Sequence, residues 1–183
     1  YVAEINELNP ILVLEKLSLK TTKPKIFITD VGQHQMWCAQ SLKINQKDRF
    51  LTSGGMGAMG FGLPAAIGSY FASKERDIFL ITGDGSFQLN IQELQTIKRN
   101  NIPIKIILFN NNCHGMVRQF QESYFKGNNQ STVKGYSAPN FVEIVKAYGI
   151  KAYKMSFFED IDDAIEFLCI ADEAILIEFP LSV

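Results

Sequence analysis

Two short apolar runs, each closed by polar punctuation and separated by about one helix of chain, constrain the fold of this sequence most. Asp77-Ile78-Phe79-Leu80-Ile81-Thr82 runs into Gly83-Asp84-Gly85-Ser86-Phe87, and Ile104-Lys105-Ile106-Ile107-Leu108-Phe109 runs into Asn110-Asn111-Asn112. Runs this short and this rich in β-branched and aromatic residues read as strands buried on both faces. Between them, Leu94 and Ile97 recur at helical spacing across residues 92–99. A strand, helix, strand unit of this size predicts a right-handed crossover, which brings both strand ends to the same edge of a parallel sheet. Asp84 and Asn111 are therefore expected to converge.

Ligands of open α/β sheets bind outside the carboxyl ends of the strands. Magnesium takes a few protein oxygens and keeps water and phosphate oxygens for the rest of its octahedron. A carboxylate, an amide oxygen and a nearby backbone carbonyl suit a magnesium diphosphate. The two motifs by themselves also fit plain turn punctuation and a strand terminus, and that alternative stays open at this point.

The remaining pattern extends the same architecture. Asn9-Pro10 predicts a helix start for residues 11–17, and residues 25–29 read as a strand entering a first βα loop over residues 31–35. Residues 49–52 suit a short strand, and a glycine-dense loop feeds a helix over 61–72 whose small residues let it lie close to a sheet. Helices over 141–148 and 160–170, the latter acidic in its first turn, alternate with strands over 151–155 and 174–179. The fold class expected is α/β, a doubly wound, mainly parallel sheet of about six strands flanked by helices. Residues 123–139 are polar and aperiodic, which fits either a mobile active-site loop or an ordinary surface loop. No internal repeat or low-complexity linker is visible.

At 183 residues and 46% hydrophobic content the chain suits one globular domain, 1–183, with a sizeable core. A formal net charge of -1 without a dense basic cluster gives no electrostatic reason for a nucleic acid or anionic membrane partner. Cys38, Cys113 and Cys169 are scattered without metal-ligand spacing and point to reduced thiols. No apolar run reaches membrane-spanning length and no secretory leader is visible, so a cytoplasmic location is expected, with the native start left open.

Three further segments give the pattern a family. Thr29-Asp30-Val31-Gly32-Gln33-His34-Gln35-Met36-Trp37, the glycine-dense Ser53 to Gly68, and Asn110-Asn111-Asn112-Cys113-His114-Gly115-Met116-Val117-Arg118-Gln119 resemble the acetolactate synthase branch of the thiamine-diphosphate (ThDP) enzymes, the superfamily that includes pyruvate decarboxylase. That superfamily pairs Gly-Asp-Gly with a later Asn-Asn, and here the spacer is Ser86 to Phe109. Separated motifs agreeing in order and spacing are far more specific than one glycine signature. A nucleotide-binding Rossmann domain is disfavoured, because no glycine fingerprint follows the first strand directly.

The resemblance implies a ThDP-binding fold and a set of roles. Asp84 and Asn111 by their side chains, and Cys113 by its backbone carbonyl, match the magnesium ligands. Gly83, Gly85 and Ser86, with His114, Gly115 and Met116 at the start of a following helix, match the donors to the diphosphate, where helix amides and dipole favour anions. Val31, Gly32, Gln33 and His34 match the first diphosphate loop, and His34 carries a stronger functional reading than His114. Met59 matches the bulky wedge that bends the cofactor into a V, with the Gly57 carbonyl and the Met59 amide on the aminopyrimidine edge.

The chemistry implied is decarboxylation of a 2-oxo acid, pyruvate first, and transfer of the two-carbon unit to a second 2-oxo acid, giving an acetohydroxy acid. The family takes its activating glutamate from an N-terminal pyrimidine-binding domain across a dimer interface, so this chain is expected to be inactive alone. It is expected to be part of a longer homodimer or homotetramer, or else one subunit of a split enzyme, with FAD on a further domain in some arrangements. Where the branch continues Gln-Trp, this chain has Gln119-Phe120, which makes Phe120 a substrate-pocket candidate and leaves the acceptor acid open. A ThDP-dependent decarboxylase or another carboligase is the alternative within the superfamily, and a non-catalytic cofactor-binding or assembly module is the alternative outside it.

Overall fold

The structure is a computed structural model in which residues 8–21 and 23–182 are described, so the first seven residues, Thr22 and Val183 of the expected domain lie outside the described residues. Its elements run α1 (Pro10–Lys20), β1 (Lys25–Thr29), α2 (Gln33–Ser41), β2 (Arg49–Thr52), α3 (Gly62–Ala72), β3 (Asp77–Gly83), α4 (Asp84–Gln88), α5 (Leu94–Asn100), β4 (Ile104–Asn110), α6 (Gly115–Tyr124), α7 (Phe141–Ala147), β5 (Lys151–Lys154), α8 (Ile161–Ile170) and β6 (Ile175–Pro180). Asn9 caps α1 by accepting from the Ile11 amide at 2.9 Å, with Pro10 at the first helical position, as the Asn-Pro pair predicts. Asp160 caps α8 in the same way through the Asp163 amide at 2.9 Å.

The six strands form one sheet in the order β2-β1-β3-β4-β6-β5, and every neighbouring pair is parallel. This is the doubly wound class expected. Strand alternation explains why the sequence runs are continuously apolar: Ile26, Ile28, Ile78, Leu80, Ile106 and Leu108 face a core closed by α3, α5 and α7, while Phe27, Phe79, Ile81, Ile107, Phe109 and Phe179 face one closed by α1, α2 and α8. The edge strands β2 and β5 are four residues each and half exposed, which limits unpaired edge.

After β1 the chain steps outward to β2, then crosses back to β3 on the other side. The β1/β3 boundary is thus a topological switch point, the place where ligands of such sheets bind. At the opposite edge the strands begin with buried lysines held by acids: Lys105 Nζ lies 2.7 Å from Asp77 Oδ1, and Lys25 Nζ lies 3.6 Å from Asp48 Oδ2. Helix α1 runs to Lys20, past the expected residue 17, α5 begins at Leu94 rather than at residue 92, and a boundary within the site also differs from expectation. The first βα loop ends at Gly32 rather than at residue 35, because the Gln35 amide already bonds the Gly32 carbonyl at 3.1 Å and Gln33, His34 and Gln35 form the first turn of α2.

Candidate functional site

The site grows from the ends of β1, β3 and β4. Just past β1, buried Asp30 accepts three backbone amides: Val31 at 2.8 Å, Gly60 at 2.9 Å and Gly62 at 2.8 Å. Those bonds strap the loop that carries Gly57 and Met59, together with the start of α3, to the switch point. Asn90 secures the same loop from below, donating to the Gly60 carbonyl at 2.7 Å, and Gly60 itself turns at φ 85°, where a side chain would be strained. Burial raises the Asp30 pKa, and the amides of Val31, Gly62 and Gly60 pull it back down.

His34, in the first turn of α2, is 4% exposed, and its Nε2 has no hydrogen-bond partner. Burial depresses its pKa to about 3, so the ring is neutral at physiological pH. The imidazole lies against the end of β3: a Cβ on Gly83 would fall 2.9 Å from its Nδ1, so glycine is required for that approach.

At the end of β3, Asp84 opens α4 and is 3% exposed. Its Oδ2 accepts from the hydroxyl of Tyr136 at 2.9 Å, and desolvation raises its pKa above the ordinary carboxylate range despite that bond. The Tyr136 pKa is raised as well, by burial and then by the Asp84 charge, so the phenol stays a donor. Ser86 gives its hydroxyl hydrogen to the Val31 carbonyl at 2.6 Å, which ties the β3 turn to the β1 turn and leaves the Ser86 amide as its donor towards a ligand.

The three asparagines after β4 divide the work. Asn110 anchors the turn to the sheet, donating to Glu178 Oε1 at 2.9 Å and accepting from the Asn112 amide at 3.1 Å. Asn112 adopts φ 50°, a left-handed conformation that asparagine tolerates, and this reverses the chain. Asn111 accepts from the Cys113 amide at 3.3 Å and donates to Gln33 Oε1 at 3.0 Å, so α2 and the β4 turn are locked together at the cavity wall. The Cys113 thiol is buried, and that burial raises its pKa. The His114 amide donates to the Thr132 carbonyl at 3.1 Å, so within this turn His114 offers the cavity its ring, while Gly115 and Met116 hold the first positions of α6, where amides lack intrahelical acceptors.

These pieces enclose one cavity of about 310 Å³, at the lower end of the range for small-molecule sites. Val31, Gly32, Gln33 and His34 line it from β1 and α2, Gly57 and Met59 from the strapped loop, Gly83, Asp84, Gly85 and Ser86 from β3, and Asn111, Cys113, His114, Gly115 and Met116 from β4. Phe120 stands apart. It is 54% exposed on α6, packs its ring against Tyr124 and Phe125, and lines neither this cavity nor the wider hollow of about 650 Å³ that continues past Arg118 and Gln119. Sequence reasoning gave no site role to Trp37, Phe109, Val117 and Leu181, which also line the cavity, nor to Asp30 and Tyr136, which position it. Among the described residues no cluster of three or more His, Cys, Asp or Glu side chains suits a metal. What the cavity offers instead is the Asp84 carboxylate and the Asn111 amide oxygen, which fit a hard divalent cation with phosphate oxygens completing its shell, and beside them the unpartnered His34 Nε2, free for a hydrogen bond to a ligand.

Fold and site together define a doubly wound α/β domain with a small-molecule-sized cavity at a sheet switch point. Comparison with known proteins gives that class its family. Residues 30–179 match the family described as "Thiamine pyrophosphate enzyme, C-terminal TPP binding domain", and the chain belongs to it. It is 42% identical over 163 residues to the probable acetolactate synthase large subunit of Methanococcus aeolicus, covering 89% of this chain and 27% of that protein. It is 38% identical over 182 residues to the acetolactate synthase large subunit of Lactococcus lactis subsp. lactis (strain IL1403), covering 100% of this chain and 31% of that one. Against the acetolactate synthase isozyme 2 large subunit of Escherichia coli (strain K12) the identity is 39% over 161 residues, covering 88% and 29% respectively. The chain thus spans under a third of the length of these relatives. No helix among the described residues is long and apolar enough to cross a membrane.

Proposed function

We propose that this chain holds thiamine diphosphate through Mg²⁺ and serves an acetolactate synthase-like reaction, in which a 2-oxo acid, pyruvate first, is decarboxylated and its two-carbon unit joined to a second 2-oxo acid. The observation that carries this reading is the meeting of Asp84, Asn111, the Val31–His34 turn and the Met59 loop on one cavity. When bound, the cofactor supplies the electron sink for loss of carbon dioxide, and the protein supplies position and electrostatics.

Asp84 and Asn111 would hold the cation by their side-chain oxygens and Cys113 by its carbonyl, its protonated thiol taking no part. The amides of Gly83, Gly85, Ser86, Gly115 and Met116 would receive the diphosphate, with Val31, Gly32, Gln33 and His34 on its other side, and the His114 ring would border it. Buried and neutral, His34 can serve either as donor or acceptor through Nε2 without adding charge. Met59 would press beneath the cofactor as the wedge of its V conformation, with the Gly57 carbonyl and Met59 amide fixing the aminopyrimidine edge; fixed geometry of this kind can contribute several kcal/mol to lowering a barrier. The activating glutamate would come from the pyrimidine-binding domain of a neighbouring subunit in a homodimer or homotetramer, and any FAD would sit on a further domain. A cytoplasmic setting suits the three free thiols.

The test is product analysis with a panel of 2-oxo acids, using the full-length natural protein with and without ThDP and Mg²⁺. Acetolactate formed from pyruvate only when both are present is the expected result, lost in Asp84→Ala. An aldehyde or a different ligation product assigns the chain to a sister decarboxylase or carboligase, and no turnover of any acid while ThDP still binds assigns it to the non-catalytic module.

A further inference from the structure

The segment between α6 and α7 touches a side chain of the proposed metal-ligand set through Tyr136, and that contact has no counterpart in the motifs. The Tyr136 hydroxyl donates to Asp84 Oδ2 at 2.9 Å, and its ring meets the His114 imidazole edge-on, with centroids 4.6 Å apart at 71°. Backbone and side chain brace the segment behind it: the His114 amide donates to the Thr132 carbonyl at 3.1 Å, Thr132 is buried and bonded to Gln121 of α6 at 2.5 Å, and Gln130 bridges to Lys134. Gly85 leaves room for this arrangement. A Cβ there would fall 2.7 Å from His114 Cε1 and 3.4 Å from the Tyr136 hydroxyl oxygen.

We infer that Tyr136 is a positioning residue for the cation-holding carboxylate, fixing Oδ2 of Asp84 so that Oδ1 is presented to the cation, and so coupling cation binding to the order of residues 125–140. The inference rests on the reading of Asp84 as a Mg²⁺ ligand given above. A carboxylate has two oxygens, and a hydrogen bond to one restricts the rotation of the other. Partners of this kind behind a metal ligand typically change metal affinity by about 10–100-fold when removed. The phenol serves as a donor from outside the two ligand turns, so the bond ties a third, separate stretch of chain to the site.

The test uses Tyr136→Phe in the full-length natural protein, which removes the hydroxyl and keeps the ring against His114. Mn²⁺ titrated at fixed ThDP and followed by the spin-resonance signal of the free ion reads cation affinity without turnover. The expected result is an apparent dissociation constant about tenfold higher in the variant. A second readout is trypsin cleavage at the exposed Lys126 and Lys134: Mn²⁺ with ThDP slows it in the wild type, and that protection is lost in the variant. Unchanged affinity, or tighter binding because the hydroxyl had been blocking the carboxylate, overturns the inference while leaving the cofactor site standing. If the wild type itself binds no Mn²⁺ with ThDP, the Mg²⁺ reading fails and this inference fails with it.

Discussion

Asp30 and His34 sit four residues apart and illustrate how single side chains set this site, His34 from within a matched motif and Asp30 without a role the sequence assigned. Asp30 needs both carboxylate oxygens, since Oδ1 serves Val31 and Gly60 while Oδ2 serves Gly62. Asparagine keeps the shape but turns one of those positions into a donor facing a backbone N–H. Asp30→Asn is therefore expected to lose about 1–3 kcal/mol in urea unfolding, the usual cost of an unsatisfied buried group. It should also weaken ThDP binding more than that of inorganic pyrophosphate with Mg²⁺, because two of the three amides held, Gly60 and Gly62, follow Met59 and none belongs to the Asp84 or Asn111 turns. Equal loss of both ligands in a binding titration would contradict that division. For His34 the folded pKa lies near 3 against an ordinary 6.5. The unfolded chain binds the extra proton first as pH falls, so this group's contribution to stability is present above 6.5 and is lost progressively between 6.5 and about 3. Asp30 and Asp84, with raised values, act in the opposite sense, favouring the fold below the ordinary carboxylate range and losing that contribution as pH rises through their folded values. Comparing His34→Gln with wild type isolates the histidine: the difference in unfolding free energy of the ligand-free protein should change by up to ~1.4 kcal/mol per pH unit across that window. A difference independent of pH would mean the ring is solvated.

At the scale of elements, the turn joining β4 to α6 leans on α2 through Gln33 and Asn111. A Cβ at Gly115 would lie 2.0 Å from Gln33 Oε1 and 3.0 Å from Asn111 Nδ2, both ends of flexible side chains. Gly115→Ala should therefore leave the melting temperature nearly unchanged while lowering ThDP and Mg²⁺ affinity, since Gln33 must release Asn111 to make room. Calorimetry of both quantities on one preparation checks this, and a large stability loss without an affinity loss counts against it. The same elements mark what was legible beforehand. Strands β1, β3, β4 and β6 could be read because burial on both faces makes them continuously apolar, and the convergence of Asp84 and Asn111 could be read because each directly follows such a strand, whereas Gly57 and Met59, five and seven residues past β2, were reached only through the family resemblance. The beginning of α2 at Gln33 was not legible, because it depends on how Gly32 turns the backbone rather than on side-chain pattern. Tyr136 was hidden because its partner lies 52 residues away, and Asp30 because two of its three partners are amides 30 and 32 residues distant. Phe120 was singled out by a difference from the family pattern, yet its position one turn along α6 turns it towards Tyr124 and Phe125.

Taken whole, the molecule separates what holds it together from what it presents. Two apolar layers and the lysine–carboxylate pairs at the strand beginnings stabilise the sheet, and the cavity occupies the opposite edge, where strands end in glycine, aspartate and asparagine. Perturbations at the two edges should therefore combine independently, as distant sites without shared partners do. Asp77→Ala leaves Lys105, 3% exposed, without its 2.7 Å partner, and breaking such a pair destabilises by about 3–5 kcal/mol. ThDP with Mg²⁺ at a hundredfold excess over its dissociation constant should stabilise the folded state by about 2.7 kcal/mol, which in a chain of this size raises the melting temperature by about 5–10 °C. Thermal melts of wild type, Asp77→Ala and Asp84→Ala, each with and without ligand, cross the two effects. Asp77→Ala should melt lower in both conditions yet keep the ligand-induced rise, whereas Asp84→Ala should lose the rise. Trp37, the chain's one tryptophan, lines the cavity against Phe109 at 5.7 Å, so its fluorescence reports the same titration from inside the site. If Asp77→Ala also abolished the rise, the two edges would be one cooperative unit and the separation argued from the layers would fail.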